Sequence, residues 1–210
     1  MANQTHSTIT DPDLHEPKGI STAAVGRAYQ SDGTGSGVWT RPMDLVASAD
    51  TGSVASIEIA GLSSYRELIV VIEALNADDV KFVELELYST AAAAYRTSGY
   101  QDSYVDTNND LVAQNTSGLF LGRTFGSNIQ YFTCIARLTN FNQASHKTSC
   151  HSFAVASNTY FPITGTTATN EEGHGVISHY DTAEAHEKIK LQLNSGSILS
   201  SSYTVWGIKG

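Results

Sequence analysis

Short runs of alternating apolar and polar residues characterise the chain from about residue 54 onward. One run has Val83, Leu85 and Leu87 at every second position, with Glu84 and Glu86 between them. A helix would scatter the two glutamates around its circumference, whereas a strand places both on one face. This pattern predicts a strand with three apolar side chains toward the core and two glutamates facing outward.

Other segments show related patterns. Residues 69–72 are apolar on both faces, which is typical of a strand buried on both sides. Residues 98–117 are rich in Asp, Asn, Ser and Thr, so we predict a surface loop there. The predicted strands cover residues 54–60, 66–75, 81–88, 130–139, 146–157, 175–179, 187–193 and 203–208. Roughly eight strands with frequent turns and no long helical pattern favour an all-β fold, a jelly-roll-like antiparallel β-sandwich.

The first 42 residues differ from the rest of the chain. They contain few large apolar residues, and their prolines hold the neighbouring backbone near extended geometry. Residues 31–37 favour a turn, whereas residues 20–29 fit either a short helix or a strand. We therefore predict an extended N-terminal arm over residues 1–42 and a β-sandwich knob domain over residues 50–210.

Composition narrows the classes of function. Charged residues make up 16% of the chain, and the formal net charge is -9. An acidic surface repels phosphate groups, so we expect neither direct nucleic-acid binding nor attraction to an anionic membrane. The N-terminus has no apolar signal-peptide core, and the run at residues 68–72 is too short to span a bilayer. We therefore expect folding in a cytoplasm and no membrane insertion.

The short motifs do not indicate an enzyme, a cofactor or a metal centre. Residues 33–37 are glycine-rich but lack the Gly-Lys-Ser/Thr of a phosphate loop. Residues 106–110 begin like a calcium loop, but Leu111 and Ser117 occupy positions that an EF-hand gives to Gly and Glu, so only a looser calcium site stays open. Two histidine pairs at five-residue spacing would project to opposite faces of a strand. We predict no catalytic residues, no metal ligands and no cofactor.

The two cysteines, Cys134 and Cys150, lie symmetrically about a predicted turn at residues 141–143. If the flanking strands form a hairpin, a disulfide across it is one interpretation. The other is a pair of reduced, buried thiols that behave as small apolar groups. The sequence leaves both open.

Two segments resemble parts of tailed-bacteriophage virion proteins. Residues 15–19, HEPKG, followed by residues 26–39, GRAYQSDGTGSGVW, resemble the N-terminal arm of head fibres, capsid decoration proteins and tail fibres. Residues 202–209, SYTVWGIK, resemble the last strand of the β-sandwich knobs that often follow such arms. The resemblance implies a homotrimeric virion component, assembled in the bacterial cytoplasm, whose arm binds the major capsid protein or another virion protein.

The resemblance implies docking through the arm, for which charged side chains and a large aromatic anchor are suited. The candidate docking residues are His15, Glu16, Pro17, Lys18, Gly19 and Trp39. Closing a trimer would bury apolar sheet surface, for which Ile69 and Val71 are the candidates. We favour a head decoration or head-fibre protein over an enzyme.

The alternative is a tail-fibre or receptor-binding knob that recognises a host surface glycan. Exposed aromatic side chains would then stack on sugar rings, and Tyr100, Tyr104 and Tyr160 are the candidates. The sequence does not distinguish a head from a tail position.

Overall fold

The computed structural model describes residues 28–31, 37–40, 43–105, 111–114, 117–124, 131–157 and 171–209. The chain divides into two compact units, Met1–Pro42 and Met43–Gly210. The described residues contain no helix. Their strands are β1 (Ala28–Ser31), β2 (Gly37–Thr40), β3 (Asp44–Thr51), β4 (Ser56–Ile59), β5 (Tyr65–Ala77), β6 (Phe82–Ser89), β7 (Ala94–Tyr95), β8 (Tyr100–Val105), β9 (Leu111–Gln114), β10 (Leu119–Arg123), β11 (Tyr131–Thr139), β12 (Lys147–Ser157), β13 (Glu171–Ala183), β14 (His186–Leu193) and β15 (Ile198–Lys209).

The first unit contains an antiparallel hairpin of β1 and β2. Tyr29 lies opposite Trp39, and Ser31 lies opposite Gly37. The segment at residues 20–29, open between helix and strand, is therefore a strand at its last two residues. The rest of the predicted arm lies outside the described residues, apart from the hairpin strands.

The second unit is an antiparallel β-sandwich. The eight-stranded sheet has the order β3-β15-β5-β11-β12-β13-β8-β9. The five-stranded sheet has the order β10-β6-β14-β4, with β7 paired to β6. Apolar side chains from both sheets form one core, which includes Ile57, Ile59, Leu68, Val70, Ile72, Val83, Leu85, Leu87, Phe132, Leu138, Ile189, Leu191 and Val205. The predicted all-β sandwich is confirmed as two packed antiparallel sheets.

Strand alternation decides which side chains of β5 enter this core. Leu68, Val70 and Ile72 are fully buried, whereas Ile69 and Val71 face away from the core and are half-buried. In the single chain, β5 is therefore fully buried on one face only, contrary to the prediction of burial on both sides.

Each of the eight predicted strand segments contains a strand, but β3, β7, β8, β9 and β10 were not predicted. The predicted loop at residues 98–117 is wrong, because β8 pairs with β13 and buries Tyr100 and Asp102. The second unit also begins before residue 50, since β3 pairs with β15. Half of the side chains of β3 are exposed and none is fully buried, so its backbone pairing leaves little apolar signal in the sequence.

The closing strand carries a glycine that the packing requires. A Cβ at Gly207 would lie 2.3 Å from Cδ1 of Tyr65, so the tyrosine ring occupies the place of that side chain. Tyr65 Oη donates a hydrogen bond to Asp44 Oδ2 at 3.3 Å, and Lys209 Nζ lies 2.9 Å from the same oxygen. The Trp-Gly-Ile ending noted in the sequence therefore has a local structural reason.

Candidate interaction surface

The outer face of the eight-stranded sheet carries large apolar side chains that the described part of the chain leaves exposed. Val71, Ile135 and Phe153 lie directly opposite one another across β5, β11 and β12. Phe153 is 66% exposed, and Ile135 and Ile177 are each 56% exposed. We call the surface formed by Ile69, Val71, Ile135, Phe153 and Ile177 the Phe153 face.

The Phe153 face continues toward the edge of the sheet. Trp206 lies opposite both Ile69 and Leu45, which extends the apolar row across β15 to β3. Leu45 is 50% exposed. Val155, two residues beyond Phe153 on the same strand, points to the same side. The surface thus spans six strands, from β3 to β13.

Two glycines flatten the sheet beside Phe153. Gly175 lies directly opposite Phe153, and Gly173 lies opposite Val155. A Cβ built on either glycine would meet no atom within 4 Å. The phenylalanine ring therefore stands beside two positions of β13 that carry no side chain, so the surface combines a projection with two adjoining glycines.

An ion pair stands within the Phe153 face, because Arg137 lies directly opposite Ile69 on β5. Arg137 Nη2 lies 2.6 Å from Glu67 Oε2, and Arg137 Nε donates to the same oxygen at 3.1 Å. These opposite charges neutralise one another, and His151 lies opposite Arg137 on β12. Glu73, at the border of the surface, is exposed opposite Ser202.

Contiguous apolar patches of this kind mark interaction sites on protein surfaces. Removing a Phe or Ile side chain from water contributes about 1.5–3 kcal/mol, so a few such residues supply useful binding energy. Hydrocarbon side chains perform no acid–base or nucleophilic chemistry. The Phe153 face is therefore suited to packing against another macromolecule.

The structure places the two predicted interface residues, Ile69 and Val71, on this surface but at its half-buried side. The more exposed Ile135, Phe153 and Ile177 were missed. Several inward positions of β11 and β12 hold small residues, while large apolar residues occur on the outward face. The two faces of these strands are therefore hard to tell apart from the sequence. Apolar residues on both faces of these strands were the sequence signal that could have pointed to the exposed residues. The inward small residues are Cys134, Ala136, Cys150, Ala154 and Ala156.

Most predicted docking residues lie outside the described residues. These are His15, Glu16, Pro17, Lys18 and Gly19. Trp39, the remaining one, lies on β2.

The three tyrosines that were predicted to stack on a glycan have different outcomes. Tyr100 is 1% exposed, and its hydroxyl donates to Arg96 O and accepts from Leu87 N, so its assignment as a stacking platform is wrong. Tyr104 pairs with Val176 on β13, and Tyr160 lies outside the described residues.

A second cluster, of buried polar groups, joins the end of β13 to the turn after β6. Arg96 donates to both oxygens of Glu184, from Nε at 2.8 Å and from Nη2 at 2.7 Å. Ser89 Oγ donates to the same carboxylate at 2.7 Å. Burial raises the pKa of Glu184, but hydrogen bonds from Arg96, Ser89 and Tyr180 outweigh it and lower the pKa to about 2. A carboxylate held so firmly in the charged form is a poor base, so this cluster acts as a structural clamp.

His186 lies beside this clamp, inside the core. Its ring centroid is 5.7 Å from that of Phe141 and 5.6 Å from that of Tyr180. Burial lowers the pKa of His186 to about 4, and the nearby charge of Glu184 opposes this only in part. The ring is therefore neutral at neutral pH. Strand pairing places His186 opposite Ser89.

A depression of about 500 Å³ opens near the start of β8. Its polar side chains already bind one another: Asp181 accepts from Gln101 and lies 3.1 Å from Lys147 Nζ, while Ser117 donates to Glu84 at 2.6 Å. The lining residues are Thr97, Ser98, Gly99, Tyr100, Gln101, Ser117 and Asp181.

The cysteine hairpin forms, but its register separates the two thiols. Cys134 lies opposite Ala154, and Cys150 lies opposite Leu138. The offset of four residues corresponds to about 13 Å along a strand, beyond the reach of a disulfide. Both cysteines are free and buried, and burial raises the pKa of Cys150 to about 12. The interpretation as reduced, buried thiols is the correct one.

In the part of the chain that the structure describes, no group of three or more His, Cys, Asp or Glu side chains is placed to hold a metal ion. The calcium-like segment at residues 106–110 lies outside that part. Within the same residues, no helix is long and apolar enough to cross a membrane.

Comparisons of the chain with protein-family models, with curated proteins and with solved structures found no match. The resemblance to phage virion proteins therefore depends on residues 15–19, 26–39 and 202–209 alone. The surface geometry above is independent of it.

Proposed function

We propose that the chain is a structural component of a tailed-bacteriophage particle, a homotrimeric head decoration or head-fibre protein assembled in the bacterial cytoplasm. The observation that carries this proposal is the Phe153 face. A rigid sheet that exposes Phe153, Ile135 and Ile177 is suited to lasting contact between subunits. The sequence resemblance supplies the kind of particle.

In this proposal the two units of the chain have different roles. Residues 1–42 dock on the major capsid protein or another virion protein, and the sandwich forms a projecting knob. Three arms on one trimer bind together, which raises the apparent affinity about 10²–10⁴-fold over a single arm without any new contact. Weak individual arm contacts are therefore sufficient for stable attachment.

The deciding experiment is imaging of purified particles that carry a tag on Gly210. Label at regular positions on the capsid is the expected result. Label confined to the tail would favour the tail-fibre alternative. Purified particles that contain none of the protein would contradict the structural assignment as a whole.

Deleting residues 1–42 tests the docking role of the first unit. We expect the remaining chain to fold, since the core residues belong to the second unit, and to be missing from particles. Circular dichroism checks folding, and quantitative mass spectrometry of particles checks incorporation. Normal copy number without the arm would refute docking through this unit.

The alternative is a knob that recognises a host surface glycan. The depression near β8 favours it, because hydroxyl, amide and carboxylate side chains line a space of about 500 Å³. Binding of the full chain to a glycan array, lost on Gln101→Ala, would support this function. Binding that Gln101→Ala leaves unchanged would exclude this depression as the glycan site.

A further inference from the structure

We propose that the Phe153 face is a homotypic interface, at which one copy of this chain packs against the same face of another copy. The inference deepens the proposed homotrimer and rests on it for self-association, but it needs no phage particle. It assigns the contact to the exposed centre of the sheet at β11, β12 and β13. The predicted residues Ile69 and Val71 then lie at the flank of the contact.

The shape of the surface supports a second copy as the occupant. In a cyclic trimer, one part of the surface on each copy contacts a different part of the same surface on the next copy, so the surface must be complementary to itself. The Phe153 face has a projecting aromatic ring and, next to it, Gly173 and Gly175, which carry no side chain. The ring of one copy can rest on the glycines of the next copy, and three such contacts close the trimer.

The charge distribution supports the same occupant. Each copy has a formal net charge of -9, so two copies repel one another over most approaches. On this surface Arg137 and Glu67 neutralise each other, and the neighbouring Ile135, Phe153 and Ile177 carry no charge. Copies therefore meet here with less repulsion than a uniformly acidic surface would cause.

The size of the sheet is sufficient for a stable contact. Neighbouring strands lie about 4.8 Å apart, and each residue extends a strand by about 3.3 Å. One face of an eight-stranded sheet with about nine residues per strand therefore has an area on the order of 1,000 Å². A standard protein interface buries about 800 Å² on each partner. The apolar part is the centre of such an area, where interfaces concentrate their binding energy.

The experiment is a native-mass measurement of the full chain as a function of concentration. We expect wild-type protein to be oligomeric at micromolar concentration. The double variant Ile135→Thr, Phe153→Ser should be monomeric, with dissociation constant raised at least 100-fold and an unchanged circular-dichroism spectrum. The control Val80→Ser removes an apolar side chain that is 45% exposed, in the turn after β5, and should leave the mass unchanged.

Cross-linking locates the contact directly. Cys134 and Cys150 are buried, so a maleimide cross-linker does not reach them in the folded chain. With a short bismaleimide, Thr133→Cys, at an exposed position on the same face opposite Val155, should give covalent dimers, and Val80→Cys should give none. This test does not depend on the double variant remaining folded.

Three outcomes would overturn the inference. Wild-type protein that is monomeric at all concentrations would show that this surface does not pair copies of the chain. An oligomer that survives the double substitution would place the contact elsewhere. Cross-linking at Val80→Cys in place of Thr133→Cys would do the same. Each of these results leaves the imaging test of the particle unaffected, so the two proposals fail separately.

Discussion

The two outer faces of the sandwich are built from opposite kinds of residues. On the five-stranded sheet, Glu58, Lys190 and Glu86 lie opposite one another across β4, β14 and β6. Lys190 Nζ pairs with Glu86 Oε2 and lies 4.5 Å from the ring centroid of Tyr95. Tyr95 Oη in turn donates to Glu58 Oε2 at 2.7 Å. The Phe153 face of the other sheet has apolar side chains at the equivalent central positions.

Polar pairing on the five-stranded sheet is close enough to bury carboxylates. Glu84 is 2% exposed and Glu86 is 4% exposed, although both face outward as predicted. Gln192 Nε2 donates to Glu86 at 2.7 Å, and Ser117 Oγ donates to Glu84 at 2.6 Å. Burial raises the pKa of Glu84 despite that hydrogen bond.

The difference indicates which face needs a partner. The charged face satisfies its own donors and acceptors within one chain, so contact with another protein would cost desolvation. The apolar face leaves hydrocarbon in water, so contact there is favourable. The two outer surfaces of the sandwich thus differ: one pairs its charged groups internally, and the other exposes apolar side chains on which the proposed interface depends.

The largest expected effect is on the charged face. Lys190→Met should lower the free energy of unfolding by about 3–5 kcal/mol, because it leaves the buried carboxylate of Glu86 without its cation. Urea denaturation measures this. The control Lys188→Met, whose partner Glu58 is half exposed, should cost less than about 1 kcal/mol. Equal effects of the two substitutions would contradict the view that this face is internally paired.

Lowering the pH should reduce the stability of the core between the two faces. The unfolded chain protonates His186 near pH 6.5, whereas the folded chain does so only near its lowered pKa of about 4. The stability due to the neutral ring is complete above pH 6.5, and about 3 kcal/mol of it is lost as the pH falls to about 4. Below pH 4.5, protonation of Glu184 continues the loss toward its pKa of about 2.

The variant His186→Phe tests the source of this pH dependence. Its unfolding free energy should change much less between pH 6.5 and 4 than that of wild type, since the replacement ring does not titrate. Urea denaturation at closely spaced pH values is the measurement. A slope equal to that of wild type would assign the acid sensitivity to other groups, with Glu184 and Arg96 nearest to the ring.

The smallest expected effect on folding is on the apolar face. Phe153→Ser should change the unfolding free energy by no more than about 0.5 kcal/mol when measured at concentrations where the chain is monomeric. The side chain is exposed there and contributes little to the core. Urea denaturation at two protein concentrations gives the value. A loss of several kcal/mol would mean that Phe153 is covered within the chain itself.

The fold could be predicted wherever burial follows simple alternation. Val83, Leu85 and Leu87 identify β6 because large apolar residues face inward and polar ones face outward. Strand β8 could not be recognised, since its polar residues resemble a loop although Tyr100 and Asp102 are buried. Local composition does not show that pairing with β13 will cover them.

The interaction surface was predictable only at its flank. Ile69 and Val71 were identified because residues 69–72 of β5 are apolar at every position. In β11, the inward Cys134 and Ala136 are small, and the outward Ile135 is large. Residue size therefore gives the wrong preference for the core, and only the strand register shows that Ile135 and Phe153 stand on the outside.

The position of β15 in the eight-stranded sheet limits when that sheet can close during synthesis of the chain. This last strand lies between β3 and β5, so the sheet has a gap near one edge until the ribosome has made residues 198–209. Pairing of strands so far apart in sequence is typical of slow folding, in milliseconds to seconds. The eight-stranded sheet can therefore close only after residues 198–209 have left the ribosome.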